Sequence, residues 1–563
     1  MHRSTRWLVL VILVVAALGG PWCAADAASN RPATIDVQLL AINDFHGNLE
    51  PPGGSSGLID GVLAGGATYL AAHIAALCAA NPAPTFVVSA GDIVGASPLL
   101  SALFHDEPAI ELMNLIGLDL SVVGDHEFDE GIAELRRLQR GGCHPVDGCN
   151  ADHLFRGAAF DYLAANVVRG SHRKPLFRGY RIKRLSAGVR VAFIGVTLQG
   201  TPTLVGPANV DGWSFIDEAD AVNAIIPRLR RRGIEAIVVL IHDGSQVRLP
   251  HTVDGCDVVS GAFTDIVQRL DPAVDLVISG HTHQAYNCIV GGIPVTSAAS
   301  FGRVVTDIDM TIDTTTRDVA AMTIDNVIVT RDVSPDPVVA DLVDRYNVAV
   351  APIANRPVGQ ITADITRNQA PSGEQAMGDV VADAQLAATR NVGAQMAFAN
   401  AGGVRAGLVY ASSGGEGNGV VTYAEAFSVQ PFSFRLVTMT LTGSQIEQLL
   451  EQQFCGANAV TNRVHLPSAG FHYVYDLAGP HGPDCTSSNV VSSITLNGTP
   501  IDPAASYRVT VNSFLADGGD GATVLRDGTD RVIGPVDVDA LAAHLTAASP
   551  LSPPALDRIT RAP

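Results

Sequence analysis

The chain has 563 residues, 47% of them hydrophobic and 16% charged, which is more apolar material than one ordinary core takes up and predicts two or more domains. A formal net charge of −20, with no Lys/Arg block interleaved with aromatics, excludes binding along a nucleic-acid polymer. An acidic chain that handles anions needs local positive charge, from metal ions or a few placed arginines.

Residues 1–28 run from the basic "MHRSTR" through the apolar "WLVLVILVVAALGG" to the small residues of "CAADAA", the pattern of a secretory signal peptide. They predict a periplasmic or secreted protein with no stable membrane anchor after cleavage, because no later segment is long enough to span a bilayer. Seven of the eight cysteines lie beyond Cys23, in a compartment that favours disulfides. The expected pairs are Cys143–Cys149, Cys256–Cys288 and Cys455–Cys485, with Cys78 left over, although spacing alone does not fix connectivity. "CHPVDGC", with its Pro and Gly, suits a small bridged loop better than a zinc site.

From about residue 34 to 310, β-branched runs alternate with amphipathic stretches. The runs are "IDVQLLAI", "PTFVVSA", "LSVVG", "VAFIGVT", "EAIVVLI" and "VDLVISG"; "GIAELRRLQR" and "DEADAVNAIIPRLRRRG" lie among them. This alternation predicts an α/β domain whose sheets are covered on their faces, with further strands in 291–312 and 320–330. Residues 334–355 read as a helix entered through prolines and left before Pro352, and they are the expected boundary of a domain spanning 34–333. A second unit at 356–563 follows: helix "MGDVVADAQLAATR", strand and turn "AQMAFANAGG", strand then helix "RLVTMTLTGSQIEQLLEQQF", strand and glycine loop "YRVTVNSFLADGGDG". "SSGGEGNG" (412–419) should be a loop.

Five predicted strands end in the same chemistry. "LLAINDFHGN" places Asp44 and His46 beyond the first, and "VVSAGDIVG" places Asp92 beyond the next. "SVVGDHEFD" supplies Asp125, His126 and Asp129, "VVLIHDGS" His242, and "LVISGHTHQ" His281 and His283. Strand carboxyl ends converge on the ligand-binding edge of an α/β sheet. A mixed oxygen and nitrogen set gathered there suits two divalent ions of the Zn, Mn or Fe class, and holds too much nitrogen for Ca or Mg. Seven candidate ligands exceed one four-coordinate site, and a carboxylate such as Asp92 can bridge two ions. Asp129, one helical turn after His126, can hold its imidazole.

These motifs resemble those of the calcineurin-like metallophosphoesterases, and nearly all of the mature chain resembles the secreted 5′-nucleotidase family. The resemblance implies an N-terminal metallophosphoesterase β-sandwich flanked by helices, a linker helix, and a smaller C-terminal α/β nucleotide-binding domain. It implies that Asp44, His46, Asp92 and His283 hold one ion while Asp92, Asp125, His242 and His281 hold the other. His126, oriented by Asp129, would stabilise charge on the phosphoryl group and leaving oxygen. The chain departs from the family at Asp125, where the pattern has asparagine, so one more negative charge sits beside an incoming phosphate.

By the same resemblance, Phe432 and Phe514 stack on either side of a base, Asp520 accepts from ribose hydroxyls, and Asn400 with Arg405 contacts the base and phosphate regions. An arginine often found before Met377 is replaced by Pro371, and Arg367 is the expected substitute. The implied activity is hydrolysis of nucleoside 5′-monophosphates. The alternatives are a 2′,3′-cyclic nucleotide phosphodiesterase, a nucleotide-sugar hydrolase or, the thiosulfate-ester hydrolase of the scaffold being disfavoured by the two phenylalanines, a non-catalytic nucleotide-binding protein.

Overall fold

The computed structural model describes residues 32–562 apart from 53–56, 150–153, 171–173, 249–250, 413, 456–457, 459–463, 479–484 and 486–488. The expected signal peptide lies outside the described residues, and among these no helix is long and apolar enough to cross a membrane. Apolar runs form two six-stranded sheets in the first part of the chain. One runs Val319–Ile328, Val304–Asp313, Thr34–Ile42, Thr85–Ser89, Leu118–Val122, Asp161–Leu163, its last four strands parallel. The other runs Ala285–Val290, Ile293–Ala298, Leu276–Ser279, Ala236–His242, Arg190–Thr197, Tyr180–Arg184, with a parallel middle.

The strand Thr34–Ile42 explains the layering. Leu39 and Ala41 face the second sheet, packing with Phe193, Val238, Leu240 and Leu276, while Leu40 and Ile42 point outward into a helix-covered core. Side chains alternate along a strand, so a run apolar at every position is a strand buried on both faces. Ala67–Ala80, Glu107–Leu115 and Gly131–Arg140 cover the first sheet, and Glu218–Arg230 with Ala262–Gln268 covers the second. The result is the expected β-sandwich flanked by helices.

Asp336 starts the helix Pro337–Ala354 by accepting from the amides of Val338 and Val339, with Pro337 in the first turn where no N–H is needed. The sequence reading ended this helix before Pro352, whereas the structure carries it through. The carbonyl that Pro352 leaves without its helical donor belongs to Val348, a residue 78% exposed, so water is at hand to replace the lost bond. Beyond it, a five-stranded sheet (His465–Pro467, Met396–Asn400, Ser506–Asn512, Arg435–Thr442, Thr529–Val536) and a four-stranded one surround a second core with the helix Ala376–Thr389. Two helices there open on reciprocal Thr-x-x-Glu/Gln caps, Thr422 with Glu425 and Thr442 with Gln445, which turns strand directly into helix. All three expected disulfides form, and Cys78 is free.

Candidate active site

The five clusters meet at the carboxyl edge shared by the two sheets. The first sheet delivers Asp44 and His46 just after Ile42, Asp92 after Ser89, and Asp125 to Asp129 after Val122. The second ends on His242 itself and turns after Ser279 into His281 and His283. One donor atom each from Asp92, Asp125, His242 and His281 lies within 4.8 Å of the others, and the same holds for Asp44, His46 and His283. Asp92 faces both sets, 3.1 Å from His242 Nε2 and 3.6 Å from His46 Nε2.

Backbone conformation bends toward this point. Asp44, His46, Asp92, His281 and His283 all have φ between 48° and 68°, the left-handed region that costs a non-glycine residue on the order of 1–3 kcal/mol. The neighbouring chain must be bare to let the loops close: a Cβ on Gly124 would collide with the Asp92 carboxylate, and one on Gly91 with His242.

The donor set fits metal ions. Asp44, Asp92, Asp125, His46 and His242 are buried, and among the described residues no Lys or Arg forms an ion pair with these carboxylates. His46 Nδ1 lies 2.8 Å from the Gly95 carbonyl and His242 Nδ1 2.7 Å from that of Ala90. Donating Nδ1–H to a carbonyl aims the other nitrogen inward, the orienting arrangement typical of metal-bound histidines. His46 Nε2 then stands 3.1 Å from His283 Nε2. Two nitrogens this close need a proton or a cation between them. Burial, with His126 and His283 alongside, holds His46 well below the ordinary imidazole value, and burial with Arg405 does the same to His283, leaving both in the neutral form that binds metal. Burial pushes Asp44 up to about 7. Against a burial that would raise it, His281, His126 and His242 hold Asp125 well below the usual carboxylate range.

A short 3₁₀ turn, His126–Phe128, puts His126 Nδ1 2.8 Å from Asp129 Oδ2. Burial opposes charge on this imidazole, but Asp129, Asp92 and Asp125 raise it to about 10. Sequence reasoning missed Glu127, whose buried carboxylate accepts from the amides of Asp92, Ile93 and Gly124 and so ties two ligand loops together. The E of "GDHEFD" was the only signal.

The second unit reaches the same cleft. The Phe432 ring stacks on His126, centroids 5.7 Å apart and planes 18° from parallel. Arg405 lies over Phe432 at 5.8 Å, and the carboxylates that act on its guanidinium are Asp129, Asp92, Asp125 and Asp44. Arg367 donates to the Arg405 carbonyl at 2.6 Å. Asn400 donates to Asp520 at 2.9 Å and accepts from Asn512 at 3.1 Å. Phe514 packs against Gly519, beside Asp520. The expected base slot contains a surprise: Phe434, unnoticed in "QPFSF", stacks on both Phe432 (5.2 Å) and Phe514 (5.8 Å). The rings of His126, Phe432, Phe434 and Phe514 form one near-parallel ladder, whose first two rings line a cleft of about 270 Å³.

Known proteins match this chain in both halves. The family model for calcineurin-like phosphoesterases matches residues 37–285, and that for the 5′-nucleotidase C-terminal domain matches residues 355–527. The chain is 31% identical over 552 residues to cell wall protein Lmo0130 of Listeria monocytogenes, covering 93% of this chain and 68% of that protein. It is 29% identical over 518 residues to endonuclease YhcR of Bacillus subtilis, covering 91% of this chain but only 40% of the relative's length. The crystal structure of a 5′-nucleotidase precursor from Thermus thermophilus superposes with a TM-score of 0.77 at 25% identity, over 94% of this chain and 99% of that one. Matched in both halves and aligned along nearly its whole length, the chain belongs to the 5′-nucleotidase family of calcineurin-like metallophosphoesterases, hydrolases that work with divalent metal ions.

Proposed function

We propose that the chain hydrolyses nucleoside 5′-monophosphates to nucleoside and orthophosphate, outside the cytoplasm as a secreted or periplasmic enzyme. The observation that carries the reading is the contact of Phe432 with His126, which joins an aromatic ladder from one unit to a metal-ligand cluster from the other. A nucleotide needs both, one for its base and one for its phosphate.

Asp44, His46, Asp92 and His283 would hold one cation, and Asp92, Asp125, His242 and His281 the second. Two divalent ions there supply Lewis-acid polarisation of the phosphoryl oxygens and a nucleophilic water at neutral pH. In the balanced reaction a water oxygen bonds to phosphorus, the P–O5′ bond breaks, and the 5′ oxygen takes a proton. His126, charged and held by Asp129, faces the phosphoryl group and leaving oxygen and offsets the negative charge that develops there. Arg405 brings a guanidinium to the same group from the opposite unit, and Arg367 braces its backbone. Asn400 and Asp520 present an amide and a carboxylate to base and ribose. Phe432 and Phe514 offer ring faces, and a base entering between them displaces Phe434.

The test is product analysis with AMP, UDP-glucose and 2′,3′-cAMP, each with Mn²⁺ or Zn²⁺ and with EDTA, reading adenosine and orthophosphate from AMP, UMP and glucose 1-phosphate from UDP-glucose, and 3′-AMP from 2′,3′-cAMP. Metal-dependent turnover of AMP above that of the other two supports the proposal. A preference for 2′,3′-cAMP or UDP-glucose moves the activity to the phosphodiesterase or nucleotide-sugar reading. Saturable AMP binding without phosphate release defeats the catalytic one.

A further inference from the structure

Asp106 stands at the entry of the helix Glu107–Leu115 with a left-handed φ of 58°, and its side chain makes no bond to the amides of that helix. We propose that Asp106 is a positioning residue of the metal centre: it fixes Gly95, and through Gly95 it sets the imidazole of His46 toward the first cation. The inference rests on the metal-ligand set of the proposed function and adds to it a residue that acts only through another.

An aspartate at the start of a helix normally accepts from an amide two or three residues on. Here both oxygens turn away from the helix. Oδ2 accepts from the Gly95 amide at 2.9 Å and Oδ1 from the Ser101 hydroxyl at 2.6 Å. A left-handed backbone is open to glycine and strained for a residue with a side chain, so the carboxylate, not the turn, accounts for an aspartate at this position. A salt bridge does not account for it either. Asp106 is buried, and among the described residues no Lys, Arg or His forms an ion pair with it. Burial pushes its carboxyl up, and the hydroxyls of Ser101 and Ser97 and the Gly95 amide work against that rise.

What the carboxylate holds is the residue beneath His46. Gly95 has a φ of 81° and no side chain of its own to anchor it. Its carbonyl takes His46 Nδ1 at 2.8 Å while its amide goes to Asp106, so the two bonds together fix this glycine. A Cβ on Gly95 would lie 2.7 Å from Asp129 Oδ2 and 2.8 Å from His126 Cβ, which puts the same residue directly against the His126–Asp129 pair. The packing is as close on the other side. A Cβ on Gly47, the neighbour of His46, would meet Ser97 Oγ at 2.5 Å and Ser101 Cβ at 2.7 Å. Releasing the Gly95 amide therefore lets its carbonyl turn, and that carbonyl decides which way His46 Nε2 faces. Outer partners of this kind orient metal-bound histidines and tune their affinity. His242, a ligand candidate for the second cation, is oriented by the Ala90 carbonyl instead, so the effect should fall on one cation of the two.

Zinc is the probe. The full mature chain is loaded with Zn²⁺, its two equivalents are withdrawn by titration with a competing chelator, and Tm is measured at saturating zinc. Asp106→Gly keeps the left-handed turn and removes the carboxylate. It should hold one equivalent about 10- to 100-fold more weakly than wild type, with the other equivalent and the Tm unchanged. Asp106→Asn keeps an acceptor for the Gly95 amide and should restore most of that affinity. Anomalous diffraction from a partly chelated Asp106→Gly crystal should show the peak among Asp44, His46 and His283 depleted and the peak beside His242 kept. Both equivalents held as in wild type, or both weakened alongside a lower Tm, overturns the positioning role. Ser101→Ala leaves the turn's backbone alone and gives a reading independent of how Asp106→Gly folds: a selective weakening of the same equivalent supports the role, and unchanged affinity overturns it. Wild type that takes up fewer than two equivalents defeats the metal-ligand set itself, which separates failure of that reading from failure of this one.

Discussion

Asp125 gives the candidate metal pocket a third buried carboxylate beside Asp44 and Asp92. A carboxylate binds a cation more strongly than an amide does, but it also repels the phosphate that gains negative charge on the way to products. Asp125→Asn is therefore expected to raise kcat at full metal occupancy, and an unchanged or lower kcat would remove this account. Truncating His126 to alanine should lower kcat about 10²- to 10³-fold, the usual loss on removing one aligned donor to a developing anion, with metal content kept. Phe434→Ala vacates the ring between Phe432 and Phe514 and should lower KM for AMP, whereas Phe432→Ala should raise it, since a stacked base contributes about 1–3 kcal/mol. The metal-ligand candidates were legible in the sequence because each follows an apolar strand and most adjoin a glycine. Glu127 and Phe434 were not. Glu127 acts on backbone amides more than thirty residues away in sequence, and a phenylalanine two positions after another reads as core until the fold shows what its ring touches.

The helix Asp537–Ala547 begins on a buried carboxylate. Burial pushes Asp537 up to about 8, although its own helix amide at Val538 hydrogen-bonds to it. A group with a raised folded-state pKa binds its proton more tightly when folded. Its contribution is full below the ordinary aspartate value near 3.9 and is lost as pH climbs through about 8. Asp537→Asn should thus flatten the fall of Tm between pH 5 and 9, raising Tm most at the alkaline end; thermal scans across that range check it. At the interface of the two large sheets the fully buried Phe193 has no space to vacate without a cavity, and Phe193→Ala should cost about 3–5 kcal/mol by denaturant unfolding. The strand carrying Phe193 was readable as the apolar run "VAFIGVT", whereas the sequence reading did not name the helix Asp537–Ala547. The end of the helix Pro337–Ala354 was not readable, because whether a late proline stops a helix depends on which carbonyl it orphans and whether water reaches it, and both are tertiary facts.

At the scale of the molecule, the alternation of strands and helices and the change of pattern near residue 334 made two units legible, but not how they touch. The apolar core of the first unit continues through Val339, Leu342, Tyr346 and Val350 of the connecting helix into Phe427 and Val538 of the second. Phe427→Ala should loosen that seam without touching the metal ligands. The expected signature is a higher KM for AMP, which needs both units, with little change for a small phosphate ester that lacks a base. The continuity of this core also limits how the cleft between the halves could open. Lifting one half away from the other would wet the seam at roughly 25 cal/mol for each square ångström exposed. Sliding would keep it dry, so the shared greasy patch is suited to act as a bearing, and a swivel of the halves in sealed contact is expected to cost less than a yawn that parts them.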